Sequence, residues 1–160
     1  MMKRRLIAVL WLAAVLLMVS ACSKPLRTDA PMNSFSFSHS GMHTGLIYTL
    51  SAEQTKDGWQ AEISLLAGDK EYVLEMTREE AEALAEIVRR HELNRWNGFN
   101  RADRRAADGN GFRLDIRYED GQVLSASGSN AFPAGYTEVH EEILGFFGEL
   151  MERNGLEDPF

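Results

Sequence analysis

The run Trp59-Gln60-Ala61-Glu62-Ile63-Ser64-Leu65, followed by Tyr72-Val73-Leu74-Glu75-Met76 and Thr77-Arg78-Glu79-Glu80-Ala81-Glu82-Ala83-Leu84, passes from one periodicity to another within a single stretch. Trp59, Ala61, Ile63 and Leu65 alternate with Gln60, Glu62 and Ser64, and Tyr72, Leu74 and Met76 alternate with Glu71 and Glu75. Period two puts successive side chains on opposite faces, so these are strands with one apolar and one wet face. Asp57-Gly58 before them and Gly68-Asp69 between them supply turn chemistry. Thr77 then opens a capping box. Its hydroxyl can take an orphan backbone N–H while Glu80 reaches back to the Thr77 amide, and Met76 and Ala81 stand where a hydrophobic staple forms. Leu84, Ile87, Val88 and His91 recur at helical spacing, which predicts a helix to about Glu92.

Upstream, Phe35, Phe37 and His39 alternate with serines, and Leu46, Tyr48 and Leu50 follow Gly41 and Gly45. Downstream, a loop of about 18 residues contains Trp96-Asn97-Gly98-Phe99-Asn100 and ends at Asp108-Gly109-Asn110-Gly111, a length that in compact domains is functional or disordered. Phe112, Leu114, Ile116 and Tyr118 alternate with Arg113, Asp115 and Arg117; Glu119-Asp120-Gly121 turns the chain, and Gln122 to Ser127 returns it. Gly128-Ser129-Asn130-Ala131-Phe132-Pro133 is a second irregular loop. A final helix spans about Thr137 to Arg153, with Val139, Ile143, Phe146, Phe147 and Leu150 as its stripe and Asn154-Gly155 as its stop. Gly145 and Gly148 weaken it and are expected to let it lie close to the sheet. The pattern is α+β: an antiparallel sheet of about six strands in the order ββββ-α-ββ-α, with two helices packed on one face.

The beginning of the chain follows different rules. Lys3, Arg4 and Arg5 precede a run without a polar residue from Leu6 to Val19, the charged start and apolar middle of a signal peptide. A spanning helix needs about 20 apolar residues, more than this run offers. Val19-Ser20-Ala21-Cys22 resembles the lipobox of bacterial lipoproteins. That resemblance implies cleavage after Ala21 and acylation of Cys22 by chains such as palmitate, making the lipid bilayer the first partner. Each buried methylene contributes about 0.8 kcal/mol, so two or three chains anchor durably. An ordinary secretory signal with an incidental cysteine is the alternative. Ser23 stands where an aspartate would resemble an inner-membrane retention signal, which favours the periplasmic side of the outer membrane in an organism with two membranes. The expected organisation is a signal over 1–21, a lipidated cysteine and flexible tether over 22–34, one globular domain over 35–155 and a tail over 156–160. Twelve flexible residues span on the order of 20 Å.

Cys22 is the only cysteine, so an internal disulfide and a thiolate metal cage are excluded, and with Cys22 acylated no cysteine nucleophile remains. Loss of the three signal cations from 17 basic residues leaves 14 against 24 acidic ones, a net charge of −10. A chain this acidic is a poor general binder of nucleic acid or anionic lipid, and no nucleic-acid partner is expected. Charge is nonetheless uneven. Arg89 to Arg117 holds eight arginines and four acidic residues, a local +4 against −14 for the rest of the mature chain. That segment would position the domain over anionic head groups or an acidic partner, unless Arg113 and Arg117 simply pair across strands on the wet face.

His39 and His43 are four apart, but in a strand and a glycine-rich turn, with no third ligand evident nearby, so no metal is expected. His91 near a helix carboxyl end fits the helix dipole. Gly-x-Ser-x-Gly and the phosphate-binding glycine signatures are absent, and no cofactor is implied. The domain resembles small uncharacterised bacterial envelope lipoprotein domains through Trp96-Asn97-Gly98-Phe99, Asp108-Gly109, Asp120-Gly121 and Gly128-Ser129-Asn130, a resemblance that implies no particular activity.

Because strands 112–118 and 122–127 form a hairpin, the loop entering at Gly111 and the loop leaving at Gly128 are expected to be neighbours. Trp96, Phe99 and Phe132 would supply apolar contact, and Asn97, Asn100, Asn110, Ser129 and Asn130 directional hydrogen bonds, as a binding surface needs. In the competing account the aromatics plug the core and the asparagines satisfy turns. The leading functional expectation is a non-catalytic envelope module binding an envelope protein or small ligand. Its alternatives are a small periplasmic hydrolase using a histidine with Asp or Glu, and a structural or inhibitory lipoprotein.

Overall fold

Period-two burial shapes six of the seven strands among the described residues, and apolar stripes at helical spacing shape two helices. In the computed structural model, which describes residues 26–41, 47–66, 69–103, 109–157, 159 and 160, the strands are β1 (Met32–Gly41), β2 (Ile47–Gln54), β3 (Trp59–Leu65), β4 (Lys70–Met76), β5 (Asn100–Ala102), β6 (Asn110–Tyr118) and β7 (Val123–Ser129). The helices are α1 (Arg78–Arg90) and α2 (Tyr136–Arg153), and a 3₁₀ turn covers Leu93–Trp96. The expected signal segment over 1–21, Cys22, His43, Leu46, Gly68 and Asp108 lie outside the described residues. Among the described residues no helix is long and apolar enough to cross a membrane.

The strand order is β4-β3-β2-β1-β6-β7-β5. β1 is the centre of the sheet, antiparallel to β2 on one side and to β6 on the other. Register aligns the apolar positions into rows: Phe35 with Ala52 and Ile116, Phe37 with Leu50 and Leu114, and His39 with Tyr48 and Phe112. Both helices cover that face. Ala81, Leu84, Ile87 and Val88 of α1 and Val139, Ile143, Phe147, Leu150 and Met151 of α2 are buried in one core with it. Phe35 stacks on Phe147 at 6.4 Å between ring centroids. The opposite face carries the serines of β1 and the charged residues of the outer strands.

The α+β class and the element order agree with expectation, whereas the strand count does not. The seventh strand, β5, runs parallel to β7. Its three residues are all exposed, so backbone pairing rather than an apolar face holds it, and it leaves no alternation to find. The sheet also begins earlier than expected, at Met32 rather than Phe35, because Met32 is buried in the core. Residues 26–31, expected within a flexible tether, run along the domain. Leu26 N donates to the Asn94 carbonyl at 3.2 Å and Asn94 Nδ2 donates back at 3.1 Å. Gln122 Nε2 donates to the Arg27 carbonyl, Thr28 Oγ1 to Asp120, and Glu119 N to the Pro31 carbonyl. Of the two helix glycines, Gly148 is buried, while a Cβ on Gly145 would meet open space, so only the former is positioned as expected.

The capping box forms. Glu80 N donates to Thr77 Oγ1 at 3.2 Å and Thr77 N to Glu80 Oε2 at 2.7 Å. The helix stops at Arg90, since Glu92 adopts a left-handed φ of 51°. Thr77→Ala is expected to lower stability by about 1 kcal/mol, the usual cost of deleting an N-cap hydroxyl. Urea melts measure it; no change would mean that the helix start is held by tertiary packing alone.

Candidate functional site

The two irregular loops meet where β6 begins and β7 ends. Gly111 is paired with Ser129, and Phe112 with Gly128. Asn130 N donates to the Asn110 carbonyl at 2.6 Å, and Asn110 N donates to Asn130 Oδ1 at 2.8 Å, so the two asparagines close the junction. Asn130 takes a left-handed φ of 51°, a conformation that asparagine tolerates through local side-chain bonding. Ser125 N donates to Asn97 Oδ1 at 3.2 Å, and Gly98 N to the Ser125 carbonyl at 2.8 Å. The amide oxygens of Asn97 and Asn130 are therefore spent on backbone. Asn100, Asn110 and Ser129 remain exposed.

The aromatics divide in the same way. Trp96 is 6 % exposed and packs edge-on against Phe112 and stacked on Tyr136, which makes it a plug for the end of the core. Phe99, half-buried, lies against Phe112, with the Arg101 guanidinium 5.4 Å above its ring. Phe132 is different. It stays 38 % exposed while lying 4.5 Å from the Tyr136 ring and 5.7 Å from the Phe112 ring.

Behind these rings lies a cluster that the sequence does not announce. β1 ends its apolar row with His39, β2 contributes Tyr48 to the same row, and the first turn of α2 places Tyr136 and His140 four apart on one face. His39 Nδ1 and the Tyr136 hydroxyl share a hydrogen bond of 2.9 Å, and Tyr48 Oη and His140 Nε2 share another. The two imidazoles lie 4.8 Å apart, and the Tyr136 and His140 rings are inclined by only 13°. The result is two hydrogen-bonded histidine–tyrosine pairs stacked on each other. Burial holds His39 below its ordinary value; burial, helped by the neighbouring His39, pushes His140 down to about 4. Burial holds both tyrosines above their ordinary range, with Tyr136 adding to the effect on Tyr48. At neutral pH the cluster presents rings and hydroxyls without net charge.

Beside it an open depression of about 630 Å³ is lined by His39, Ser40, Tyr48, Asn110, Phe112 and Ser129, among other residues. Its walls offer apolar area with a few hydroxyl and amide groups, the mixture that orients a small ligand. Gly128 makes the junction possible, because a Cβ there would lie 1.9 Å from the Ala131 carbonyl oxygen.

His91 does meet a carboxylate. Its Nε2 bonds Glu142 of α2, but Arg90 holds the other oxygen of the same group, so the trio clamps the end of α1 to α2. On the wet face Arg113 pairs with Asp115 two residues along its own strand at 2.5 Å, rather than across strands as expected. The local pairing follows from alternation, which puts residues two apart on the same side. No protein-family model matches the chain, and comparison with curated proteins finds no relative.

Proposed function

We propose that the protein is a lipid-anchored module of the bacterial cell envelope, held by acylated Cys22, that binds an envelope protein or a small ligand where its two loops meet. The anchor rests on the charged start, the apolar run and the lipobox-like end of the first 22 residues. The binding reading rests on one observation, the exposure of Phe132. Leu66, Val73, Val123 and Phe132 are the large apolar side chains that stand out among the described residues, and Phe132 is the aromatic one. It is also backed by the rings of Phe112 and Tyr136 and flanked by exposed Ser129. An aromatic ring held rigid from behind and open in front is the usual form of an interface anchor. Asn100, Asn110 and Ser129 add directional contacts, while Trp96, Phe99, Asn97 and Asn130 hold the surface in shape.

Two measurements test this. Cys22→Ser is expected to abolish labelling by a fatty-acid probe and to leave the protein unanchored; equal labelling of both forms sinks the anchor. A photoreactive residue at position 132 is expected to give a discrete adduct in the protein's own membranes, whereas one at exposed position 123 gives none. The same adducts at both positions, or none at either, would remove the binding site.

A further inference from the structure

One edge of the sheet is left open. β4 is its outermost strand, and among the described residues no strand lies beyond it. The other edge, β5, is only three residues long, whereas β4 has seven. Backbone parity fixes which groups of β4 face outward. Leu66 N donates to the Ile47 carbonyl at 2.9 Å, so even-numbered residues of β3 bond to β2 and odd-numbered ones to β4. Lys70, Tyr72, Leu74 and Met76 answer those odd-numbered residues across the ladder. The N–H and C=O groups of Glu71, Val73 and Glu75 therefore point away from the sheet, an arrangement that templates an added strand. Arg153 Nη2 donates to the Glu75 carbonyl at 2.8 Å, as that direction requires.

The side chains of the same three residues select what can be added. Glu71, Val73 and Glu75 are exposed on the wet face, with Val73 56 % exposed between the two carboxylates and Glu62 directly opposite it on β3. Glu62 is held above the ordinary carboxylate value by its hydrogen bond to Glu71, a crowding that a cation would relieve. The surroundings do not neutralise this edge. From Ile47 to Met76 the chain carries six carboxylates against Lys56 and Lys70. The nearby helix cations are engaged, Arg78 with Glu82 at 2.9 Å and Arg153 with Glu80 at 2.7 Å. A second copy is a poor occupant. Antiparallel β4 strands centred on Val73 would set each Glu71 opposite the partner's Glu75, and like charges directly opposed are destabilising.

We infer that β4 is a docking edge for an extended basic segment of a partner protein, which adds to the sheet as a further strand with an apolar residue beside Val73 and a lysine or arginine beside each of Glu71 and Glu75. This surface is separate from the one around Phe132 and does not depend on the lipid anchor. The probe is the fluorescent peptide Thr-Lys-Thr-Val-Thr-Lys-Thr, titrated with the full chain and followed by anisotropy at low ionic strength, where exposed charges are least screened. Saturable binding is expected. Glu71→Lys combined with Glu75→Lys should weaken it at least tenfold and favour the peptide with glutamate in place of lysine. Val73→Pro should also weaken it at least tenfold, because it removes one outward N–H and no bond to β3, a position at which edge strands accept proline. In wild type, amide exchange at Glu71 and Val73 should slow when the peptide is added, a readout that needs no variant to fold. No saturable binding overturns the proposal. Binding that survives in Val73→Pro but is lost on charge reversal, or unchanged amide exchange in the complex, shows attraction without strand addition and overturns it as well. A wild-type dimer in sedimentation that Val73→Pro converts to monomer would give the edge to a second copy instead.

Discussion

Gly128→Ala is expected to lower the unfolding free energy by about 3 kcal/mol, the upper end of what overpacking costs in a closed site. A Cβ at this position would fall 1.9 Å from the Ala131 carbonyl oxygen and 2.7 Å from Phe112 Cε1. A ring can tilt away from such a contact, but the carbonyl cannot move by itself. It belongs to a turn bracketed by Asn130, which is bonded twice to Asn110, and by Phe132, which lies against Phe112 and Tyr136. Relief therefore requires the two loops to separate. Gly145→Ala provides a control of opposite sign: a Cβ there meets nothing within 4 Å, so a helix-interior glycine is replaced at a gain of up to about 1 kcal/mol. Urea melts of the two variants beside wild type measure both. A loss below about 1 kcal/mol for Gly128→Ala would show that the junction rearranges cheaply, and the surface built on it would no longer be preorganised.

What the sequence reveals and what it hides follow from the range of the forces involved. Strands β1 to β4 and the β6–β7 hairpin are legible because burial of one face writes period two into them. The start of α1 is legible because a capping box is a contact between residues three apart. The adjacency of the two loops follows from antiparallel pairing alone. By contrast, β5 is held by backbone bonds that any side chain permits, and the docking of Leu26 on Asn94 joins residues 68 apart, with no local pattern to betray it. The candidate site divides likewise. Composition suggests recognition for Asn97 and Asn130, but only the fold shows their amide oxygens turned inward to satisfy Ser125 and Asn110. The histidine–tyrosine cluster needs α2 to cross the His39–Tyr48 row, a tertiary event. Its traces in the sequence are small: His39 continuing the Phe35–Phe37 alternation, and Tyr136 and His140 one helical turn apart at the start of an apolar stripe.

Lowering the pH from 7 to 5 is expected to reduce stability by about 2 kcal/mol through that cluster. In the folded protein His140 is pushed down to about 4 by burial and by His39, whereas in the unfolded chain an imidazole titrates near its ordinary 6.5. A group whose folded value is depressed binds its proton more readily when unfolded, so its contribution is complete above about 6.5 and is lost as pH falls toward the folded value. Each unit of difference corresponds to about 1.4 kcal/mol, which gives a loss of about 2 kcal/mol by pH 5 and about 3 by pH 4. His39, itself depressed by burial, acts in the same direction, and at 4.8 Å between ring centroids the two imidazoles resist becoming cations together. Glu62 is held above the ordinary carboxylate value by its hydrogen bond to Glu71, so the share of His140 between pH 6.5 and 5 is read from the difference between wild type and a variant without that ring. Replacing the ring in His140→Gln removes the titration. Denaturant melts at half-unit steps should then show a flattened curve over that interval, even if the variant is less stable throughout. Parallel curves for wild type and His140→Gln would mean that the loss arises elsewhere and that the stacked pairs tolerate a proton without cost.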